Sequence, residues 1–254
     1  MVDKTTERVP TKAGGFFGRL LETLAGQAKK AKGGLEGKSG LQPILALESR
    51  LPIPKLKQLI AFCGDRFLLQ NLTQLKDKTV LEIGEGPLRF QKNIAEQKPK
   101  FLAGIVIDGV TPQSLDPSSL LLKGTLKSIP FENQFFDFVV ALLTTSHQGD
   151  VVSAFKEMGR ILAPEGIGLI VDFHPFGLYA KTGTQRLRSI AATIRGLEDY
   201  YKMCRVAGLS IVDLHEGFVD DTLRNQFVTL PEMEAFREIK GTPLVLFLRV
   251  KKTK

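Results

Sequence analysis

An α/β architecture, an open sheet wound on both faces by helices, is what this sequence predicts, and three features predict it. Short, nearly continuous apolar runs alternate with segments of helical periodicity from residue 55 onward. Several of the runs are apolar on both faces of the strand, as strands covered by helices on both sides must be. The run Thr79-Val80-Leu81-Glu82-Ile83 leads directly into Gly84-Glu85-Gly86, where two glycines let the backbone of a strand-to-helix turn approach a ligand closely.

Taken in order, Pro52 and Pro54 mark the entry to a helix spanning Lys55 to Leu75. Strands are expected at Val80 to Ile83, Leu102 to Ile107, Leu121 to Lys123, Phe136 to Leu142, Ile167 to Asp172, Ser210 to Leu214 and Leu244 to Val250. Helices are expected at Leu88 to Gln97, Asp150 to Leu162 and Leu197 to Ala207. In such a sheet ligands sit outside the carboxyl ends of the strands at the switch point, which is where Glu82 to Gly86 falls.

With 254 residues and 43% apolar content, one sizeable core is affordable and two full catalytic domains are not. Residues 1–50 read as a basic, partly disordered arm, and residues 51–254 as the folded domain. Within the arm, Phe16, Phe17, Leu20, Leu21 and Leu24 recur at helical spacing and Lys29, Lys30 and Lys32 follow. Residues 16–32 are thus a candidate for peripheral membrane contact or for covering a pocket; a helix packed on its own domain is the plainer reading.

The net charge of +8 raises the question of a nucleic-acid partner. Met1 to Lys38 holds eight basic and four acidic residues, half of that charge, and the remainder is close to balance without aromatic-basic interleaving. The distribution argues against nucleic acid. Two cysteines, Cys63 and Cys204, make no disulfide framework, and with no apolar span or signal core the expected setting is cytoplasmic. Three histidines and two cysteines show no metal-ligand spacing.

The glycine pair by itself excludes more than it identifies. Arg89 stands where a dinucleotide fingerprint needs its third glycine, and no Gly-Lys-Ser phosphate loop follows. Later segments supply the rest: Ile129-Pro130-Phe131 running into Phe136-Asp137-Phe138-Val139-Val140, then Phe155 to Gly166 ending in Ala163-Pro164-Glu165-Gly166, then Leu197-Glu198-Asp199-Tyr200 with Ala207-Gly208-Leu209. Together with Val80 to Pro87, and in this order, they resemble the motifs of the class I S-adenosylmethionine-dependent methyltransferases, in particular the branch that modifies small molecules and quinones. The resemblance covers roughly residues 76 to 251.

It implies a Rossmann-like, seven-stranded sheet whose last strand is antiparallel, with S-adenosyl-L-methionine lying across the tips of strands one, two and four. It assigns Glu82, Gly84, Glu85 and Gly86 to the methionine end of the donor, Asp108 to the ribose, Thr125 and Leu126 to the adenine, and Ala141 and Leu142 to the border of the donor site. Three positions depart from the pattern. Leu88 replaces a glycine; Val106 stands where the ribose acid is common, so that Asp108 is delivered only by a bulge or the contact is lost; and Thr125 offers a hydroxyl where a carboxylate is usual.

Methyl transfer is a displacement governed by alignment and desolvation, and an acceptor that must lose a proton needs a base. His147 after the fourth strand and His174 after the fifth are the candidates for that catalytic role; Tyr179 and Tyr201 are weaker, and His215 is farther away. Ala141-Leu142-Leu143-Thr144 holds the place of an Asn-Pro-Pro-Tyr tetrapeptide, which argues against methylation of adenine or glutamine amino groups. The loop from Pro175 to Gly196, with Arg186, Arg188 and Arg195, is left to recognise the acceptor. A methyltransferase acting on a small-molecule or lipid-like acceptor is the expected function. A methyltransferase-fold binding protein without turnover and an RNA methyltransferase using the arm are the alternatives.

Overall fold

The computed structural model describes residues 51–85, 88–107, 119–143, 151–175 and 196–253, without the side chains of Ile53 and Glu85. The arm, the loops that hold Gly86, Asp108 and His147, and most of the loop after Pro175 lie outside these residues.

The elements run α1 (Ile53–Asn71), β1 (Thr79–Glu85), α2 (Gln91–Ala95), β2 (Phe101–Ile107), β3 (Ser119–Gly124), β4 (Phe136–Leu142), α3 (Val151–Ile161), β5 (Leu162–Phe173), α4 (Leu197–Val206), β6 (Leu209–Phe218), a 3-10 turn (Asp221–Gln226), α5 (Leu230–Ile239) and β7 (Pro243–Lys252). The strands form one seven-stranded sheet in the order β3-β2-β1-β4-β5-β7-β6. β1 to β5 pair in parallel, and β7 runs antiparallel to both β5 and β6. The switch of direction in strand order, where β1 is flanked by β2 and β4, puts the carboxyl end of β1 at the crevice of the sheet.

Each face of the sheet carries its own core. Val80, Leu102, Val140 and Val171 pack with Leu59 of α1 and Phe236 of α5 on one side. Leu81, Ile105, Ala141 and Ile170 pack with Phe155 of α3 and Met203 of α4 on the other. Alternation along β1 therefore gives Glu82 and Gly84 to the α1 side.

Several boundaries differ from the sequence-based expectation. α2 is reduced to five residues, because the segment before Gln91 is engaged by a carboxylate of β1 described below. β5 begins at Leu162, five residues before the apolar run at Ile167, with Glu165 in a left-handed conformation at φ 66°. α5 was not anticipated at all. It starts on a capping box in which Thr229 Oγ1 accepts from Glu232 N at 3.3 Å and Glu232 Oε2 accepts from Thr229 N at 3.1 Å, with Pro231 in the first turn.

Two contacts hold the helices of the α3 side. A Cβ on Gly159 of α3 would lie 2.0 Å from the carbonyl oxygen of Ala207, so α3 and the end of α4 meet backbone to backbone. Arg160 forks Glu157, with Nε to Oε1 at 2.9 Å and Nη2 to Oε2 at 2.7 Å, and also donates to the carbonyls of Phe131 and Ile129 at 2.7 and 2.8 Å. Ile129 N returns a bond to Glu157 Oε2 at 2.7 Å, so the segment entering β4 is tied to α3. The Arg160 guanidinium holds the Glu157 carboxyl below its ordinary value of 4.5.

Gly159→Ala should lower stability by about 3 kcal/mol, since a backbone carbonyl cannot give way as a side chain does; urea unfolding measures it. A carboxyl depressed in the folded state lends stability that is complete above its unfolded value of 4.5 and is lost as pH falls through the folded one. The melting temperature of Glu157→Gln should therefore decline less steeply with acid than that of the unaltered protein; parallel declines would contradict this.

Candidate functional site

The carboxyl end of β1 is organised by Glu82, which is fully buried. Its Oε1 accepts from the amides of Arg89 at 2.9 Å and Phe90 at 3.1 Å, and its Oε2 accepts from Gln91 Nε2 at 2.9 Å. Burial pushes the carboxyl up, and the bonds from Gln91, Phe90 and Arg89 act against that shift. The acid thus grips the chain on the far side of the turn from β1. Gln91, 6% exposed, keeps its Oε1 buried and without a partner among the described residues. The Arg89 guanidinium is drawn off to Asp65 of α1, at 2.9 and 3.0 Å from the two carboxylate oxygens.

The expected donor-site residues fall as follows. Gly84 lies against Leu142 of β4, whose Cδ1 would be 3.5 Å from a Cβ on the glycine, and Ala141 is fully buried beside it in sequence. Glu85 closes β1 in the backbone. Thr125 is exposed just beyond β3, with Oγ1 accepting from Lys127 N at 3.3 Å, while Leu126 is 4% exposed and sits in the α3-side core. β1 and β2 keep unbroken register from Thr79↔Phe101 to Glu85↔Ile107, so no bulge precedes Asp108, which itself lies outside the described residues with Gly86 and His147. Val106 is fully buried opposite Gly84.

A second polar group stands at the end of β5. His174 is 3% exposed, and its Nε2 lies 2.6 Å from Oε1 of Glu216 on β6, reaching across β7, where His174 N donates to Leu244 O at 3.1 Å. Asp172 is 8% exposed and accepts from the hydroxyl of Tyr200 on α4 at 2.7 Å. Asp172, Tyr200 and Glu216 were not picked out from sequence. Tyr201, which was, is 60% exposed. The helical phase held the missing signal: Tyr200, Met203, Cys204 and Ala207 share one apolar face of α4. His215 is bound to Asp213 at 2.7 Å and its ring faces Phe67 of α1, away from this group.

Other chemistries find little support among the described residues. Burial pushes the Cys63 and Cys204 thiols up to about 11 and about 12, which makes them poor nucleophiles at neutral pH. No group of three or more His, Cys, Asp or Glu side chains is placed to hold a metal. No described helix is long and apolar enough to cross a membrane.

The family model for a methyltransferase domain matches residues 63–170, which takes in the sheet from β1 to the middle of β5. Solved structures share the fold. An S-adenosylmethionine-dependent methyltransferase from Mesorhizobium loti aligns at a TM-score of 0.56 and 14% identity, over 76% of this chain and 100% of its own. A Listeria monocytogenes protein assigned to the same class aligns at 0.57 and 17%, over 77% and 99%. A geranyl diphosphate methyltransferase, solved with geranyl diphosphate and sinefungin, aligns at 0.53 and 15%, over 76% and 77%. Among curated proteins none matches in sequence. Residues 63–170 thus match a methyltransferase domain, and the described sheet shares the fold of class I S-adenosylmethionine-dependent methyltransferases.

The cofactor such a domain implies is S-adenosylmethionine, and the β1 turn suits its charge. The ligand carries a sulfonium and an ammonium. Beside the turn, among the described residues, lie a buried hydrogen-bonded carboxylate and a buried amide oxygen without a partner, and the Arg89 guanidinium is paired with Asp65.

Glu82→Ala should cost about 3 kcal/mol, because two buried amides and the Gln91 amide lose their acceptor together. Glu82→Gln, which keeps an oxygen for the amides, should cost less than half as much. Chemical unfolding of both variants checks the order.

Proposed function

We propose that this protein transfers the methyl group of S-adenosylmethionine to a small-molecule or lipid-like acceptor. The observation that carries the reading is the pairing of two differently built ends on one sheet edge. The Glu82-fastened turn of β1 suits the donor, and the His174–Glu216 pair stands at the end of β5. β4 alone separates β1 from β5, so the two ends are about 10 Å apart across the strands, with His174 set beyond the last paired residue of β5.

S-adenosylmethionine, when bound, supplies an electrophilic methyl that needs in-line attack. The residues of this chain supply alignment and a place for the proton. Gly84 and Leu142 border the donor side. His174 receives the proton that the acceptor oxygen, carbon or nitrogen loses, and the Glu216 carboxylate orients the ring. Asp172 and Tyr200 fix each other beside it. The geranyl diphosphate methyltransferase that shares the fold acts on a lipid-like acceptor.

Calorimetric titration with S-adenosylmethionine should show one site per chain, with His174→Ala keeping the affinity within about twofold while slowing transfer of labelled methyl. No heat of binding at millimolar ligand would leave a fold without its cofactor and overturn the proposal.

A further inference from the structure

β6 is the outer strand of the sheet, and its α3-side face changes character along its length. Ile211 packs on the α3-side core, where α4 lies against β6. Farther along, Leu214 and Phe218 are each 38% exposed. Register fixes which way they face. Leu214 pairs with Leu248 and Glu216 with Leu246, and both leucines of β7 belong to the α3-side core. Val219 is buried in the other core, so Phe218 before it turns to the α3 side as well. Leu214, Glu216 and Phe218 therefore form one row, on the sheet face that also carries Asp172 of β5, the partner of Leu246 on the other side of β7.

An antiparallel outer strand ordinarily carries polar side chains where its face meets water. β6 carries two large apolar ones there, and the acid between them is committed elsewhere. Glu216 reaches across β7, so that its Oε1 lies 2.6 Å from His174 Nε2. Its carboxylate is thus turned toward β5, while its methylenes stay on β6. Together with Leu214 and Phe218 they make an apolar row about 13 Å long, four residues of strand at about 3.3 Å each. The polar boundary of that row is the His174–Glu216 pair itself.

We infer that the acceptor is an amphiphile: its proton-bearing head meets the His174–Glu216 pair, and its apolar part lies along β6 over Leu214 and Phe218. A wholly polar acceptor gains nothing from this row. An apolar chain laid on it removes two large side chains from water, on the strand that already holds the partner of the histidine. The inference rests on the acceptor end proposed above and narrows its substrate class.

The probes are para-ethylphenol and para-hexylphenol, which share a proton-bearing hydroxyl and differ by four methylenes. Each is titrated into the full chain in the presence of S-adenosylhomocysteine, with calorimetry reading affinity and leucine methyl signals in NMR reading place. The longer phenol should bind about tenfold or more tightly than the shorter, with shifts at the Leu214 methyls. When Leu214→Gln and Phe218→Gln are combined, the difference should shrink to about threefold or less. Val228→Gln combined with Leu230→Gln, which removes exposed apolar surface at the start of α5, should leave it unchanged. If the glutamine protein does not fold, Leu214→Thr and Phe218→Thr, whose side chains suit a strand, give the same contrast. Equal affinities for the two phenols, or a gain with chain length that survives the loss of both β6 side chains, overturns the inference. If S-adenosylhomocysteine does not bind, the proposed function and this inference fall together; if it binds and the phenols do not differ, the inference falls alone.

Discussion

The buried carboxylate of Glu82 is the constraint on which the proposed donor end of this molecule depends. A carboxylate removed from water is costly unless its oxygens are fully engaged, and here the engaging groups come from the chain on the far side of a tight turn. That requirement fixes where the turn ends, delays the start of α2 to Gln91, and sends the Arg89 side chain outward to Asp65 on α1. It also fixes the floor of the turn. Gln91 can reach Glu82 only by lying across β2, which is possible because residue 104 has no side chain.

The proposed acceptor end follows a different logic. It is assembled from elements that meet only because the sheet runs β5-β7-β6, so that a histidine leaving β5 finds a glutamate on β6 across the intervening strand. α4 adds Tyr200, bound to Asp172, and its own placement depends on the close approach of Gly159 to Ala207. The two ends therefore answer to separate parts of the core, one on the α1 side of the sheet and one on the α3 side. A change in one core can thus alter one end and spare the other.

Much of the frame was legible in the sequence. Strands such as Phe136 to Leu142 are largely apolar, and their order with the glycine turn was enough to anticipate a parallel sheet; the antiparallel last strand was anticipated only through the resemblance. α5 escaped because its first residues break the apolar periodicity: Leu230 is 83% exposed and Val228 79%, although the Thr229 to Glu232 capping box and Pro231 were there to be read. At the site, Glu82 and Gly84 were legible as a strand-to-helix signature, and His174 as a histidine after a strand. Glu216 was not, since no local pattern announces a partner 42 residues away whose position depends on sheet order. Leu88 was read as bulk near the donor; the structure seats that bulk on Gly104, a compensation between strands that one-dimensional spacing does not reveal.

The central claim is that the turn held by Glu82 receives the methyl donor. Amide chemical shifts of nitrogen-15-labelled protein titrated with S-adenosylhomocysteine test it most directly. The account predicts saturable shifts at Gly84, Arg89, Phe90 and Leu142, with the amides of β6 left in place. Saturable shifts confined to β6 and α5, or none at Gly84, Arg89 and Phe90, would contradict it.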